Sequence, residues 1–315
     1  MKPQISVIMP VFNQEKYLAE TIESVLTQSF RNFEFIILDD GSTDNSAQII
    51  KKYAAIDDRI IASYETNSGK SASTNKLVSR ATTEWLAFLD ADDVMLPERL
   101  EKQFAYHKAH PEVDATSCHC FYINHKSIMY GKQRYPGLKK PEDCKQALAN
   151  NETIMCSFTG MMTSKNAYLT TGGLRTEMTP CEDLDFFNRL VEKGFSLVII
   201  QEELMKYRLH PTAATSSNPM RMYNMMNYTT NCIYRRRAGK PERTFEEYMA
   251  IKQQDSWWTR LNRKRFTYSQ LYFRNAGTSY ISREYLRFVY LLFLASLLSP
   301  NHILYKVNNL IAKRI

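Results

Sequence analysis

The sequence predicts an α/β fold with an open, mostly parallel, Rossmann-like sheet that carries helices on both faces, followed by a helical C-terminal tail. Four short apolar runs, rich in Ile, Val, Phe and Leu, alternate with three helical patterns over roughly the first hundred residues. Such continuous apolar runs are typical of strands that are covered on both faces. The βαβ alternation favours a parallel order of the strands.

The elements of this first part follow in a regular order. The predicted strands cover residues 5–12, 33–40, 59–65 and 85–90, and the predicted helices cover residues 15–28, 43–55 and 71–81. The second helix follows a Gly41 turn, where the side chain of Ser42, Thr43 or Asp44 can cap it.

The rest of the chain mixes both element types. Helices are predicted over 97–110 and 182–193, and strands around 113–123, 127–130, 154–163, 197–200 and 204–208. After Pro219 the pattern is helical to the end. The apolar run 288–298 is shorter than the roughly 20 residues of a spanning helix, so we expect a buried or interfacial helix. We expect a main domain over 1–218, with halves at 1–97 and 98–218, and a basic helical extension over 219–315.

Charge and cysteine content suggest the surroundings of the protein. Residues 220–315 contain 17 Lys and Arg against 5 Asp and Glu, whereas the whole chain has a net charge of +8. A basic tail indicates a membrane surface, a nucleic acid or a second subunit as partner, unless it is a solvated helical face. The six cysteines form no Cys-x-x-Cys pair and the N-terminus lacks a cleavage signal, so we expect a cytoplasmic protein.

Two acidic clusters stand at the ends of predicted strands. Asp39 and Asp40 end the second strand, and the run Asp90-Ala91-Asp92-Asp93 ends the fourth. Ligands bind at the carboxyl ends of strands in open α/β sheets. Crowded carboxylates repel one another unless a cation lies among them, and their oxygens suit Mg²⁺ or Mn²⁺. A solvated loop is the alternative for an Asp-x-Asp sequence on its own.

Two other motifs involve the same residues. Gly69-Lys70-Ser71 matches the end of a phosphate-binding P-loop, but that pattern needs a glycine where Tyr64 stands. Haloacid-dehalogenase-type phosphatases carry an Asp-x-Asp motif resembling Asp90 and Asp92, although theirs follows the first strand of the domain. A phosphohydrolase therefore remains an alternative function.

Several motifs in order resemble the inverting glycosyltransferases of family 2, which have the GT-A fold, in their non-processive bacterial form. They are ISVIMPVFNQEKYLAETIESVLTQSF, FEFIILDDGSTDNS, NSGKSASTNK, EWLAFLDADDVMLPERL, TGGLRTEMTPCEDLDFFNRL and YRLHPTAATS. The resemblance implies a hexosyltransferase-type reaction from a nucleoside-diphosphate sugar, by family frequency a UDP-sugar, to a glycan or glycolipid hydroxyl. Polysaccharide or lipopolysaccharide synthesis would suit it. The Gln-x-x-Arg-Trp motif of processive synthases is absent.

The resemblance also implies which residues bind the nucleotide sugar. They are Pro10, Phe12, Asn13, Glu15, Asp39, Asp40, Gly69, Asn75, Asp90 and Ala91. The ring of Phe12 offers a stacking face for a base, with core packing as the alternative. Thr74 stands where the family often has arginine. We expect Lys70 to be an exposed loop lysine, with a substitute cation near the diphosphate as the alternative.

The implied catalytic and metal-binding groups come from three stretches. Asp183 would be the general base that takes the proton of the acceptor hydroxyl, and Glu182 would orient the acceptor. Asp92, Asp90 and His210 would hold Mg²⁺ or Mn²⁺. The alternative is that 182–183 are ordinary acidic residues in the first turn of a helix.

Asp93, the last residue of the acidic run, would cap the turn before Pro97. The tail would bind the inner face of the membrane or form a homodimer. A non-catalytic binder of nucleotide sugars or nucleic acid is the remaining alternative, and no nucleic-acid motif supports it.

Overall fold

The computed structural model describes residues 2–210 and 218–312. They form two compact units: the first runs to residue 123 and continues over 131–208, and the second comprises 124–130 and the chain from 209 onward. The domain boundary expected after residue 218 stays a prediction. The residues 211–216 of the last motif and the basic residues Lys313 and Arg314 lie outside the described residues.

The strands and helices of the chain up to residue 90 alternate as the sequence predicts, and further elements follow up to Arg208. The strands are β1 Ile5–Val11, β2 Phe33–Asp39, β3 Ile60–Tyr64, β4 Trp85–Phe88, β5 Val94–Met95, β6 Ala115–Ile123, β7 Met129–Gln133, β8 Met162–Ser164 and β9 Leu197–Arg208. The helices are α1 Leu18–Leu26, α2 Ser46–Ala54, α3 Lys70–Arg80, α4 Arg99–Ala109, α5 Glu142–Ala149, α6 Lys165–Thr171 and α7 Glu182–Glu192.

The sheet confirms the predicted α/β class. Its strand order is β3-β2-β1-β4-β8-β6-β9-β5, and β3, β2, β1 and β4 are parallel. The strand β8 runs antiparallel to β4 and β6, and β5 runs antiparallel to β9. β1 and β2 are buried along nearly their whole length, as their continuous apolar runs predict. The parallel register brings the carboxyl ends of β1, β2 and β4 to one edge.

Some predicted boundaries are wrong, for local reasons. The second helix begins at Ser46, where the Asp44 carboxylate accepts the Ser46 N–H. Most of the strand expected over 154–163 is irregular, since side chains take the place of a strand partner: Asn188 Oδ1 accepts the Ile154 N–H. The two strands expected over 197–208 are one strand, because a register shift against β6 absorbs the intervening residues. The helices α5 and α6 have no counterpart in the prediction.

The second unit is helical, as predicted. Its helices are α8 Pro219–Arg237, α9 Phe245–Gln253, α10 Trp257–Ile281, α11 Tyr285–Leu298 and α12 Pro300–Ala312. Within the described residues, no single helix is long and apolar enough to cross a membrane. The segments Tyr285–Leu298 and Pro300–Lys306 reach the required length and hydropathy only together, with a bend of 120° between them.

Candidate active site

The loops that follow β1 and β2 are joined by reciprocal hydrogen bonds. Asn13 Oδ1 accepts the Thr43 N–H at 2.8 Å, and the Asn13 N–H donates to Ser42 Oγ at 2.9 Å. Glu15 Oε2 accepts the backbone N–H of Asn45 at 3.0 Å and its side-chain amide at 2.7 Å. Asn13 and Glu15 therefore hold the two loops together. Their direct contact with a nucleotide sugar stays a prediction.

The neighbouring carboxylates Asp39 and Asp40 have different surroundings. Both are buried, but Asp40 accepts the backbone N–H groups of Ser68 and Gly69, each at 2.8 Å. Asp39 Oδ1 is buried and has no hydrogen-bond partner in the part of the chain that the structure describes. An unpartnered buried acceptor is costly. Asp39 is thus the one of the two that is placed to accept a hydrogen bond from a ligand, whereas Asp40 positions the loop before α3.

Two aromatic residues stand at the ends of strands of this part of the sheet. Phe12, just after β1, is 46% exposed, so its ring does not pack in the core. Tyr64 ends β3 in register with Asp39, and burial together with the Asp39 charge raises the pKa of its phenol. Pro10 is partly buried within β1. Tyr64 therefore lies beside the Asp39 carboxylate and is a candidate that the sequence analysis missed, while Phe12 offers an exposed ring at the end of the neighbouring strand.

The helix α3 begins beside the acidic run and brings a cation to it. Gly69 precedes the helix with φ of 88°, in the left-handed region where a side chain would be strained. Lys70 Nζ lies 2.6 Å from Asp90 Oδ1. Burial alone would lower the Lys70 pKa, but the nearby carboxylates of Asp90, Glu182 and Asp183 raise it above its usual value. Lys70 is thus the first residue of a helix and not a loop residue as expected, its side chain is 38% exposed, and a contact with the diphosphate stays a prediction.

Asn75, further along α3, makes structural contacts. Its Oδ1 accepts the Tyr168 hydroxyl at 2.6 Å and the Leu174 N–H at 3.0 Å, and its amide donates to the Leu174 carbonyl. It thereby ties α3 to the turn after α6, and a contact with the donor stays a prediction. The buried Thr74 hydroxyl donates to the Lys70 carbonyl within the helix.

The turn that contains the acidic run is held from both sides. The Asp90 N–H donates to Thr159 Oγ1 at 3.1 Å. Ala91 is buried, and its carbonyl accepts the Thr21 hydroxyl at 3.1 Å. These bonds fix the backbone on either side of the Asp90 side chain, which points to Lys70.

Arg208, at the end of β9, anchors the other half of the turn. Its Nε donates to the Asp92 carbonyl at 2.7 Å, and its backbone N–H donates to Asp93 Oδ1 at 2.8 Å. Its guanidinium also pairs with Glu20 at 2.6 Å. Burial, with the charges of Asp92 and Asp90, raises the pKa of Asp93 well above its usual value. The expected role of Asp93 as a cap before Pro97 was wrong, since its carboxylate binds the backbone of β9.

The first turn of α7 supplies the carboxylates opposite Lys70. Glu182 is buried, and its Oε2 has no hydrogen-bond partner among residues 2–210 and 218–312. Asp183 Oδ1 accepts the Leu184 N–H at 2.7 Å. Burial raises the pKa of both carboxyls, and the Lys70 charge opposes that rise. A carboxyl whose pKa is raised towards neutrality is suited to act as a general base.

The predicted metal ligands are only partly brought together. Asp90 and Asp92 share the turn after β4, whereas His210 is buried and belongs to the second unit, so its metal contact stays a prediction. Across the described ranges, no group of three or more His, Cys, Asp or Glu side chains is placed to hold a metal ion. Asp90 and Asp92 carry the carboxylate oxygens that Mg²⁺ and Mn²⁺ prefer, and Asp90 Oδ1 is paired with Lys70 Nζ, so their role as metal ligands stays a prediction.

Solved structures of glycosyltransferases share the fold. TarS 1–349 from S. aureus in complex with UDP-GlcNAc matches with a TM-score of 0.60 and 18% identity, over 92% of this chain and 90% of that one. The mannosyltransferase PcManGT from Pyrobaculum calidifontis, in complex with GDP-Man and Mn²⁺, matches with a TM-score of 0.58 and 16% identity, over 94% and 87% of the two chains. The chain spans 49% of the longer TarS chain. These similarities confirm the predicted GT-A fold.

Sequence comparison finds relatives with a higher identity to this chain than these solved structures have. "Putative glycosyltransferase EpsE" of Bacillus subtilis is 37% identical over 210 residues, which cover 65% of this chain and 73% of EpsE. "Putative teichuronic acid biosynthesis glycosyltransferase TuaG" of the same organism is 33% identical over 218 residues, 69% of this chain and 83% of TuaG. The family described as "Glycosyl transferase family 2" matches residues 6–170, which hold β1 to β4 and the Asp-x-Asp turn. That match covers more than half of the sequence, and the chain accordingly belongs to glycosyltransferase family 2.

Proposed function

We propose that this glycosyltransferase transfers a sugar with inversion from a nucleoside-diphosphate sugar to a hydroxyl of a glycan or glycolipid, with Asp183 as general base. The observation that carries the proposal is the meeting of Lys70, Asp90, Glu182 and Asp183, which come from three separate stretches of the chain. The UDP, UDP-GlcNAc and GDP-Man complexes of the structural neighbours support a nucleotide-sugar donor. Among them, we propose a UDP-sugar.

The reaction is a single in-line displacement. Asp183 takes the proton of the acceptor hydroxyl as that oxygen bonds to the anomeric carbon, and the bond from this carbon to the diphosphate breaks on the opposite face. The nucleoside diphosphate leaves with the bonding electrons, and the configuration inverts. Burial raises the pKa of Asp183, which strengthens it as a base at neutral pH. Glu182, beside it, orients the acceptor.

Asp92, with Asp90, is the proposed site for Mg²⁺ or Mn²⁺. Magnesium-type ions are held by one or two carboxylates and by substrate phosphates, so a site without three protein ligands is compatible with an ion shared with the donor. A bound ion would stabilise the negative charge that grows on the leaving diphosphate. The Mn²⁺ in the PcManGT complex supports this assignment. His210 remains the proposed additional ligand.

The acceptor and the cellular location are proposed on chemical grounds. The relative named for teichuronic acid biosynthesis supports a cell-envelope polysaccharide as product, and lipopolysaccharide or another glycolipid would present similar hydroxyls. All six cysteines are free thiols, which supports a location on the cytoplasmic side of the membrane. We propose that one or a few sugars are added in each encounter, since the motif of processive synthases is absent.

The test has two steps. A panel of nucleotide sugars is first screened with Mn²⁺ to find the donor, and Asp183 is then replaced by asparagine. Asp183→Asn keeps the shape of the side chain but cannot accept the proton. We expect kcat to fall by about 10²–10⁴-fold while the donor Kd changes little, measured by nucleotide release and by calorimetry. The exposed Asp58→Asn is the control, with unchanged kcat.

Two outcomes would contradict the proposal. Near-normal turnover of Asp183→Asn would remove the assignment of the base. Release of inorganic phosphate from simple phosphate esters would instead favour the phosphohydrolase alternative, in which Asp90 is the nucleophile. The family match favours sugar transfer, as does the place of Asp90 after the fourth strand rather than the first.

A further inference from the structure

The helix α11 has two apolar faces, and one of them is open to solvent. The side of the helix with Leu291 and Ala295 is buried, and the Ala295 carbonyl accepts the Ser269 hydroxyl of α10 at 2.8 Å. The opposite side carries five large apolar residues that are 61–92% exposed: Leu286, Val289, Tyr290, Phe293 and Leu297. Their spacing of three, four, seven and eleven residues from the first places them in one stripe along the helix.

The next helix also exposes apolar side chains. On α12, Leu304 and Tyr305 are exposed by 60% and 63%, while His302 is buried against the ring of Phe266. Large exposed apolar patches are rare on soluble proteins and mark surfaces that bind a partner or a membrane. The stripe on α11 is about 16 Å long at 1.5 Å per residue, roughly half of a bilayer core. It is therefore long enough to lie in an interface and too short to cross one.

The basic residues of this part of the chain distinguish between a nucleic acid, a second subunit and a lipid surface as the partner of the stripe. From residue 256 to the end the sequence contains ten Lys and Arg but one acidic residue, Glu284, which pairs with Arg287 at 3.2 Å. A nucleic acid would bind the charges but leave the apolar stripe in water. A symmetric dimer would bring the same basic surface of two copies together, since both subunits use the same patch. An anionic lipid surface meets both features, with headgroups for the basic side chains and acyl chains for the stripe.

We propose that α11 and α12 form a docking surface for an anionic phospholipid bilayer. The helix α11 lies in the plane of the membrane, and side chains such as Phe293 and Leu297 enter the acyl region. The exposed Arg283, Arg287 and Lys306 contact the headgroups. This proposal concerns where the enzyme acts and is independent of the proposed donor, base and metal.

The test is co-sedimentation of the full chain with vesicles of equal parts phosphatidylglycerol and phosphatidylcholine, at low and at high salt. The double variant Phe293→Glu/Leu297→Glu places two charges on exposed positions, so it should fold normally. We expect it to lower vesicle partitioning by at least about tenfold. The control is Ile56→Glu, at an apolar side chain of the first unit that is somewhat more exposed, and this variant should bind like the unchanged protein. High salt and vesicles of pure phosphatidylcholine should both weaken binding.

The opposite results are equally clear. Absence of binding to anionic vesicles at low salt, or unchanged binding of the double variant, would overturn the proposal. Light scattering distinguishes the alternative. The stripe would be a subunit interface if the protein is a dimer, if the same two substitutions convert it to a monomer, and if it does not bind vesicles. The rate of nucleotide release with a soluble acceptor should be the same in the double variant and in the unchanged protein. Failure of the membrane proposal can therefore be distinguished from failure of the proposed reaction.

Discussion

Replacement of Lys70 by methionine tests whether its ammonium belongs to the donor site or only braces the turn after β4. Methionine keeps a long side chain and removes the charge. The pair with Asp90, at 2.6 Å, would attract with about 6 kcal/mol at an effective dielectric constant of about 20. The Lys70 side chain is 38% exposed, and water together with the cost of desolvation reduces the net effect to about 1–3 kcal/mol. We therefore expect kcat/KM to fall by about 10- to 100-fold.

The pH profile gives a second readout. The charge of Lys70 opposes the rise of the Asp183 pKa that burial causes. Without that charge the pKa of Asp183 rises further, and a base must be deprotonated to act. The acidic limb of kcat/KM should therefore move to higher pH in Lys70→Met. A side chain that only braces the turn would lower stability without moving this limb.

Lys76 on the same helix provides a closely matched control. Its side chain is also 38% exposed, and its Nζ lies 2.7 Å from Glu65 Oε2. Lys76→Met thus removes a similar ion pair from α3 without removing the cation beside Asp90. We expect its kcat/KM to stay within about threefold of the unchanged enzyme. Equal losses of activity in both variants, with an unmoved acidic limb in Lys70→Met, would refute the reasoning.

Further substitutions separate ligand contacts from structural ones. Asp39→Asn should weaken binding of the nucleotide by about tenfold without lowering Tm, as calorimetry can show, because its buried Oδ1 has no partner within the described chain. Asp40→Asn should instead lower the free energy of unfolding by about 1–3 kcal/mol in urea, since its carboxylate accepts two backbone N–H groups. Arg208→Met should cost about 1–3 kcal/mol in the same assay, because it removes the guanidinium that the Glu20 carboxylate and the Asp92 carbonyl both contact. Chelation of divalent ions should stop nucleotide release in the unchanged enzyme, with recovery on addition of Mn²⁺ but none in Asp92→Ala.

The strands β1 to β4 and their helices could be predicted because their signals are local. An apolar run followed by Asp39 or Asp90 predicts a strand, and the aspartate marks the carboxyl end of that strand at the edge of the sheet. The same reasoning places Asp183 in the first turn of a helix. Both predictions depend on residues that are close together in sequence, and the structure reproduces these elements.

The contacts between residues that are distant in sequence could not be predicted from such local signals, although they shape the site. The pairing of Lys70 with Asp90 depends on how the start of α3 lies against the turn after β4, and the local pattern that predicts the helix does not show this placement. The carboxylate of Asp93 binds the backbone of Arg208, more than a hundred residues away in the chain. Asn13 and Glu15 resemble donor contacts in sequence because their motif is the same whether they face a ligand or a neighbouring loop.

The charge balance of the site explains why a lysine stands where the sequence suggested an ordinary loop residue. Asp90, Glu182 and Asp183 would repel one another and an incoming diphosphate if no cation lay among them. The ammonium of Lys70 offsets part of this charge, and it opposes the rise that burial causes in the pKa of both Glu182 and Asp183. A cation at this place thereby favours the ionised form of Asp183, in which the carboxylate can accept a proton. The arginine that the family often has at position 74 is replaced by a buried threonine, and the positive charge that this helix brings to Asp90 comes from its first residue, Lys70.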